Sequence, residues 1–305
     1  MPLGNPYTAS ALTRLALAIA KERDYELECL HTVVVPAGRS PSETPIDLGD
    51  RCAMLDYAFK LGQQARVNVH VQVRTAHDVS QAILETIDQR HVDLVLMEAK
   101  GTVTSGILGN ATFNNPVLSN ATRRLGEKVP CELALLRWSP ELLTQLEQRP
   151  DPLHLGATST EDPALLEILQ QLRQWVVFLG GGPNAKCALR LLPGLTTLER
   201  SAGIHLCQIT SAHQRIPPDP ELLKKAQRYL QRHTLTPITA EQAQGNDVLS
   251  TLLSVGQEQD ASVLIMGASQ ESFMQQAIRG NLPEQVMAKS NRTIILIRDA
   301  LHNLQ

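Results

Sequence analysis

Residues 76–97 read AHDVSQAILETIDQRHVDLVLM, and residues 245–266 read GNDVLSTLLSVGQEQDASVLIM. Both stretches place an aspartate, Asp78 or Asp247, before an amphipathic run, and an aspartate in that place is suited to cap the first turn of a helix. Both then end in a short apolar run that is typical of a buried strand. The same helix and strand occur twice, which indicates a tandem duplication.

Two further pairs of segments match in the same order on either side of this repeat. One pair is CELALLR (131–137) with RTIILIR (292–298), and the other is PLGNPYTASALTRLALAIA (2–20) with FLGGGPNAKCALRLLPGL (178–195). The strands are continuous apolar runs rather than alternating ones, which indicates parallel strands covered on both faces. Because strands alternate with helices, the sequence predicts an α/β protein with two doubly wound parallel-sheet domains in tandem.

The predicted strands of the second copy are WVVFL (175–179), GIHLCQIT (203–210), LTPIT (235–239, the weakest), ASVLIMG (261–267) and TIILIR (293–298). The first copy follows the same path, but its first strand would have to precede Leu3. We therefore predict a first domain over 1–138 that lacks its first strand, a linker with short helices over 139–174, and a second domain over 175–305. We also expect the chain to be the C-terminal part of a longer protein.

Composition excludes several classes of protein. With a net charge of −3, the chain lacks the excess of basic residues that is typical of nucleic-acid-binding proteins. No run approaches the roughly 18 apolar residues that a membrane-spanning helix needs. The five cysteines are scattered and form no C-x-x-C pair, which argues against a disulfide framework or a thiolate zinc site. This pattern favours reduced thiols in a cytoplasmic protein.

The glycines Gly180, Gly181 and Gly182 follow a predicted strand and precede a helix that opens near Asn184. Backbone N–H groups at such a place can approach a phosphate. The dinucleotide-binding fingerprint is incomplete, because no acidic residue ends the next strand. A Walker loop also fails, since Ala185 stands where its glycine belongs. The histidines have no second ligand at fixed spacing, so we predict no metal site and no catalytic residue.

The segment MGASQESFMQQAIRGNLPEQVMAKSNRTIILIR (266–298) resembles the closing region of the universal stress protein family. In that family a strand ends in G-x2-G, nine residues follow, and G-[S/T] opens the next helix. Gly267 and Gly280 hold the first and third glycine, whereas Gln270 replaces the second and Asn281 replaces the serine or threonine. The resemblance covers residues 2–138 and 175–299.

The resemblance implies a candidate ligand site in the second copy. In nucleotide-binding members this loop holds the phosphates of ATP, and the first β–α loop covers adenine and ribose. The corresponding residues are Gly180, Gly181, Gly182, Asn184, Gly267, Gly280 and Asn281. In the first copy Glu98 stands in place of the first glycine and would repel a phosphate. The resemblance therefore implies an adenine nucleotide such as ATP in the second copy, bound weakly or not at all.

The loops also resemble tandem stress-protein units attached to bacterial membrane transporters, such as amino-acid permeases or chloride-channel-like proteins. This resemblance implies a non-enzymatic cytosolic regulatory or sensor module that is the C-terminal part of a transporter or its partner. The alternative is a free-standing ATP-binding universal stress protein. A nucleotide hydrolase is a third class, and the absence of a poised nucleophile or metal cluster argues against it.

The closing strands of the two copies, Leu133–Trp138 and Thr293–Arg298, are each predicted to lie at a sheet edge. An apolar edge favours pairing with another strand. We therefore expect an intrachain pseudo-dimer in which these strands meet across an approximate two-fold axis. Two independent domains on a tether are the alternative.

Overall fold

The computed structural model describes residues 1–40, 49–99, 119–153, 162–198, 202–210, 219, 221–267 and 282–301. In these ranges the strands are β1 (Leu27–Val34), β2 (Val69–Ala76), β3 (Leu94–Glu98), β4 (Glu132–Arg137), β5 (Gln174–Phe178), β6 (Gly203–Thr210), β7 (Ile238–Gln244), β8 (Val263–Gly267) and β9 (Thr293–Arg298). The helices are α1 (Pro6–Arg23), α2 (Gly49–Ala65), α3 (Val79–Arg90), α4 (Asn120–Lys128), α5 (Pro140–Glu147), α6 (Pro163–Leu169), α7 (Pro183–Thr196), α8 (Leu222–His233), α9 (Val248–Glu258) and α10 (Leu282–Lys289).

The second copy forms a doubly wound parallel sheet, in the spatial order β7-β6-β5-β8-β9. Its central strand is β5, in which Trp175 pairs with both Ile204 of β6 and Val263 of β8. Apolar side chains of the sheet enter two buried clusters, one on each face. The predicted α/β fold with parallel strands is confirmed.

In its described residues, the first copy has counterparts of these strands except the central one. β1 and β2 form a two-stranded parallel sheet, whereas β3 and β4 belong to the larger sheet. Only the end of a central strand is present: Pro2 forms a parallel bridge with Leu30, supported by the bond from Leu3 N to Leu30 O at 2.8 Å. The gap between β1 and β3 marks the place of a strand that β5 fills in the second copy.

The closing strands β4 and β9 are antiparallel neighbours, with Leu135 opposite Leu296. This pairing joins β3 and β4 to the five strands of the second copy in one sheet of seven. Helices add a second contact, because α1 packs on α7. A Cβ atom at Gly194 of α7 would lie 2.8 Å from Ala18 O, so only glycine allows this approach.

The linker contains the two short helices that the sequence predicts, α5 and α6, with Ser139 and Asp162 as their N-caps. Between them lies Arg149, whose side chain is 4% exposed and whose guanidinium is 2.6 Å from Asp162. The same guanidinium donates to Tyr7 O and Ser10 Oγ of α1, both at 2.8 Å. The buried ion pair therefore joins two parts of the linker, and the two hydrogen bonds fix the linker to α1 of the first copy.

One strand lies at a different position from the one that the sequence predicts. The predicted strand 235–239 is wrong in position, because β7 runs over Ile238–Gln244 and Leu235 is fully exposed. β7 is an outer strand with one neighbour, and its burial alternates between exposed and half-buried. Such a strand does not need the apolar run that identifies a central strand.

Candidate functional site

A cavity of about 490 Å³ opens at the carboxyl ends of β5, β6 and β8 in the second copy. Ligands of doubly wound sheets bind at this edge. The rim consists of Gly180, Gly181 and Gly182, and Gly267 lies beside it. The floor is apolar and is formed by Ile209, Val248, Leu252, Met266 and Leu282.

The rim has the geometry that its glycines predict. Gly181 and Gly182 have φ angles of 82° and 76°, which other residues rarely adopt. A Cβ atom at Gly180 would meet no atom within 4 Å, so space lies open above the loop. Gly182 is the N-cap of α7 and supplies no side-chain acceptor, which leaves the first turn of this 14-residue helix open to an anion.

Two of the predicted site residues are in contact with each other. A Cβ atom at Gly267 would lie 2.9 Å from Cβ of Asn184, so the end of β8 and the start of α7 pack tightly. Asn184 Oδ1 accepts a hydrogen bond from Asp299 N at 2.8 Å. Asn184 therefore ties the start of α7 to the end of β9, a structural role that the sequence did not predict. Gly280 and Asn281, also predicted here, lie outside the described residues.

The first copy has a corresponding cavity of about 570 Å³, lined in part by Gly4, Thr32 and Glu98. Gly4 follows Leu3 as Gly180 follows Leu179, and Glu98 ends β3 as Gly267 ends β8. Glu98 Oε1 accepts from Trp138 Nε1 at 2.5 Å. A carboxylate thus stands where the second copy has a glycine, and it disfavours an anion.

Residues 2–137 match the family model of the universal stress protein family. No curated protein matches the sequence of the chain.

Solved structures agree with the fold over nearly the whole chain. A universal stress protein from Archaeoglobus fulgidus DSM 4304 is similar with a TM-score of 0.55 at 11% identity, over 98% of this chain and 95% of that one. A protein of unknown function from Pseudomonas aeruginosa PAO1 is similar with a TM-score of 0.50 at 14% identity, over 93% and 86%. At such identities these similarities concern the fold alone.

One group of side chains in the described part of the chain has the spacing of a metal site: Glu132, Cys187 and Asp299. It lies where the first copy meets α7. Glu132 is paired with Arg23 at 2.9 Å and also with Arg190. Burial raises the pKa of the Cys187 thiol strongly. Glu132, Arg23 and Arg190 form an ion-pair cluster that joins β4, α1 and α7.

This cluster predicts a pH-dependent contribution to stability. Burial raises the pKa of Glu132, but Arg23 and Arg190 outweigh that effect and hold it below its usual value of 4.5. The stabilisation is present above the unfolded-state pKa and is lost as the pH falls through the folded-state pKa. We expect the difference in unfolding free energy between wild type and Glu132→Gln to be constant between pH 7 and about 5, and to shrink below about pH 4. Urea titrations at several pH values measure it.

The exposed side chain Glu147 provides the control for this measurement, as Glu147→Gln. That variant should follow the wild-type unfolding curve at every pH. A difference for Glu132→Gln that persists unchanged at low pH would contradict the role of the ionised carboxylate.

Proposed function

We propose that this protein is a non-enzymatic regulatory module that binds one adenine nucleotide per chain, in the cavity of the second copy. The observation that carries the proposal is that this cavity combines a rim of backbone N–H groups with an apolar floor. Its rim is a glycine loop at a helix N-terminus, its floor is apolar, and none of its described lining residues is charged. The glycine loop at a helix N-terminus is suited to bind phosphates, and the apolar floor is suited to pack against the flat face of a purine.

The order of these features along the cavity suits a nucleotide. Backbone N–H groups at Gly181 and Gly182 lie at the mouth, where phosphates would remain partly in water. Ile209 and Met266 lie one residue before the ends of β6 and β8 and line the cavity, where a base would be shielded. No lysine or arginine lines the described part of this cavity, so the phosphates would gain only dipole and hydrogen-bond interactions. We therefore expect weak affinity.

We do not propose a nucleotide site in the first copy. Its cavity contains the carboxylate of Glu98 at the position of Gly267. Two unit charges of like sign at about 4 Å repel each other by roughly 4 kcal/mol near a protein surface. We therefore expect a stoichiometry of one nucleotide per chain rather than two.

Calorimetric titration with ATP, ADP, AMP and cyclic AMP tests the proposal, with Gly180→Asp as the decisive variant. Nothing lies within 4 Å of a Cβ at Gly180 and its φ is not positive, so the new carboxylate should be tolerated and should face the phosphates. We expect binding to weaken tenfold or more, which is about 1.4 kcal/mol.

Two matched variants accompany this titration. Gly180→Asn has the same shape without the charge and should retain most of the affinity. Gly4→Asp places the same charge at the rim of the first cavity and should leave binding unchanged. Equal weakening by Gly4→Asp and Gly180→Asp would contradict the assignment to the second copy. Absence of binding by all four nucleotides would overturn the nucleotide part of the proposal.

The regulatory part of the proposal rests on the arrangement of the two copies. We propose an intrachain pseudo-dimer, supported by the antiparallel pairing of β4 with β9. Because Asn184 connects the nucleotide rim to the residue after β9, a ligand at the rim has a short structural path to this pairing. Small-angle scattering tests the arrangement, since two separated lobes in solution would contradict it.

We further propose a membrane transporter as the partner, on the resemblance of the loops to transporter-attached units. None of the helices in the described ranges is long and apolar enough to cross a membrane. Under this proposal, the chain should float with membrane vesicles from its own cells but not with protein-free vesicles of the same lipids. Failure to float with either would favour a free-standing nucleotide-binding protein.

A further inference from the structure

The outward face of α8 carries a stripe of basic side chains. The inner face of this helix is apolar and buried, so the helix is anchored on the second copy. Four exposed cations form the α8 stripe: Lys224, Lys225, Arg228 and Arg232. At about 100° and 1.5 Å per residue, they lie within an arc of about 100° and a length of about 12 Å. The α8 stripe is therefore a positive surface on a fixed element.

The carboxylates beside the α8 stripe do not balance its charge. Its first three cations share two carboxylates, Asp219 and Glu221, at N–O distances of 3.0–3.9 Å. Both carboxylates stand at the N-terminal end of the helix, and the three cationic side chains remain 64–66% exposed. Arg232, at the other end, forms no ion pair with a carboxylate of the described residues. The positive charge is therefore in excess, most of all near the end of α8.

The turn that follows α8 presents an apolar side chain to solvent, because Leu235 is fully exposed. Hydrogen bonds fix the residues on both sides of it. Thr236 N donates to Thr234 Oγ1 at 3.1 Å. Ile204 N of β6 donates to Pro237 O at 2.8 Å. Turns in water favour glycine, asparagine, aspartate or serine, so solvation alone does not explain a leucine held outward at this point.

The first copy indicates that the fold does not require these features. Its α2 takes the place of α8, between two neighbouring parallel strands. Over residues 52–65 the sequence of α2 contains one cation, Lys60, which is paired with Asp56 at 2.7 Å. In the connection to β2, Arg66 is exposed and Val67 is buried. The basic stripe and the outward leucine are therefore particular to the second copy.

We propose that the α8 stripe and Leu235 together form a docking face for an acidic segment of another protein. Carboxylates of that segment pair with the stripe and orient it. An apolar side chain of the same segment covers Leu235 and removes it from water. A phosphate backbone or an anionic lipid surface fits this face less well, because Asp219 and Glu221 would repel it. None of these residues lines the nucleotide cavity, so the inference goes beyond the proposed nucleotide site.

A synthetic peptide with matching spacing is the direct probe. It is an alanine-based helix with a glutamate at every fourth position and a leucine three residues after the last glutamate. This is the spacing of Lys224, Arg228, Arg232 and Leu235. In a fluorescence anisotropy titration at low ionic strength, the labelled peptide should bind the whole chain, and salt should weaken the binding. A peptide with lysines in place of the glutamates should not bind.

Substitutions at exposed positions locate the face without disturbing the core. Arg232→Glu should weaken the acidic peptide about fivefold or more. Lys60→Glu makes the same change of charge on α2, where the side chain is 54% exposed, and should leave the affinity unchanged. Leu235→Ser should weaken the acidic peptide about threefold or more, and it should not affect a peptide whose leucine is replaced by serine.

Several results would overturn the proposal. The acidic peptide might fail to bind, Lys60→Glu could weaken it as much as Arg232→Glu does, or Leu235→Ser could leave its affinity unchanged. Tighter binding of this face to phosphatidylserine vesicles or to duplex DNA than to the peptide would also overturn it, since the partner would then be a lipid surface or a nucleic acid.

Discussion

Replacement of Arg149 by methionine is expected to lower the free energy of unfolding by about 3–5 kcal/mol. The methionine keeps most of the aliphatic volume, but it leaves Asp162 charged and 4% exposed without its cation. It also removes the donors to Tyr7 O and Ser10 Oγ. Removing one partner of a buried ion pair costs more than the pair contributes, because the remaining charge is desolvated. Urea denaturation followed by circular dichroism measures the loss.

Two controls separate this effect from a general cost of removing arginine. Arg228→Met removes a guanidinium 3.9 Å from Glu221, in a pair whose side chains are 65% and 45% exposed, and it should change stability by less than about 0.5 kcal/mol. In the background of Asp162→Asn, which keeps an oxygen to cap Leu165 N, Arg149→Met should cost clearly less than in wild type. Equal costs in both backgrounds would show that the ion pair is not the cause.

Replacement of Gly194 by valine should destabilise the protein by about 2–3 kcal/mol or more. The new Cβ would lie 2.8 Å from both Ala18 O and Ile19 Cα, and backbone atoms cannot rotate out of the way. The helices α1 and α7 would have to separate, which would expose the apolar surface between the two copies. Thermal unfolding with calorimetric detection measures the change.

The matched comparison is between two buried helical glycines changed to alanine. The nearest atoms to a Cβ at Gly256 of α9 all belong to the Leu264 side chain, with Cδ2 at 3.1 Å, and a side-chain end can move. Alanine also stabilises a helix by up to about 1 kcal/mol relative to glycine. We expect Gly256→Ala to be near neutral and Gly194→Ala to be destabilising. If Gly194→Ala stabilises the protein, the close approach of α1 and α7 is not a constraint.

The order of strands and helices could be predicted because each copy repeats one local pattern. Buried strands such as Val263–Gly267 are apolar throughout, and Asp78 and Asp247 cap their helices through Ser80 N and Ser250 N as expected. β7 could not be placed in the same way. It is an outer strand whose residues alternate between exposed and half-buried, so its sequence lacks the apolar run.

The glycine rim of the candidate site could also be predicted, because positive φ angles favour glycine at Gly181 and Gly182. The apolar floor could not, since Ile209 and Leu282 are far apart in sequence and read as ordinary core positions. The bond from Asp299 N to Asn184 and the ion pair of Arg149 were missed for the same reason. Nothing local to these residues indicates a partner from another element.

The pairing of β4 with β9 also constrains how the protein can fold during its synthesis. Leu135 leaves the ribosome about 160 residues before its partner Leu296. At 5–20 residues per second, this edge waits for roughly 8–30 s. During that interval β4 has no β9 beside it. The nascent chain therefore exposes an apolar strand edge to its neighbours on a polysome, and a chaperone that covers this edge would raise the yield of folded protein.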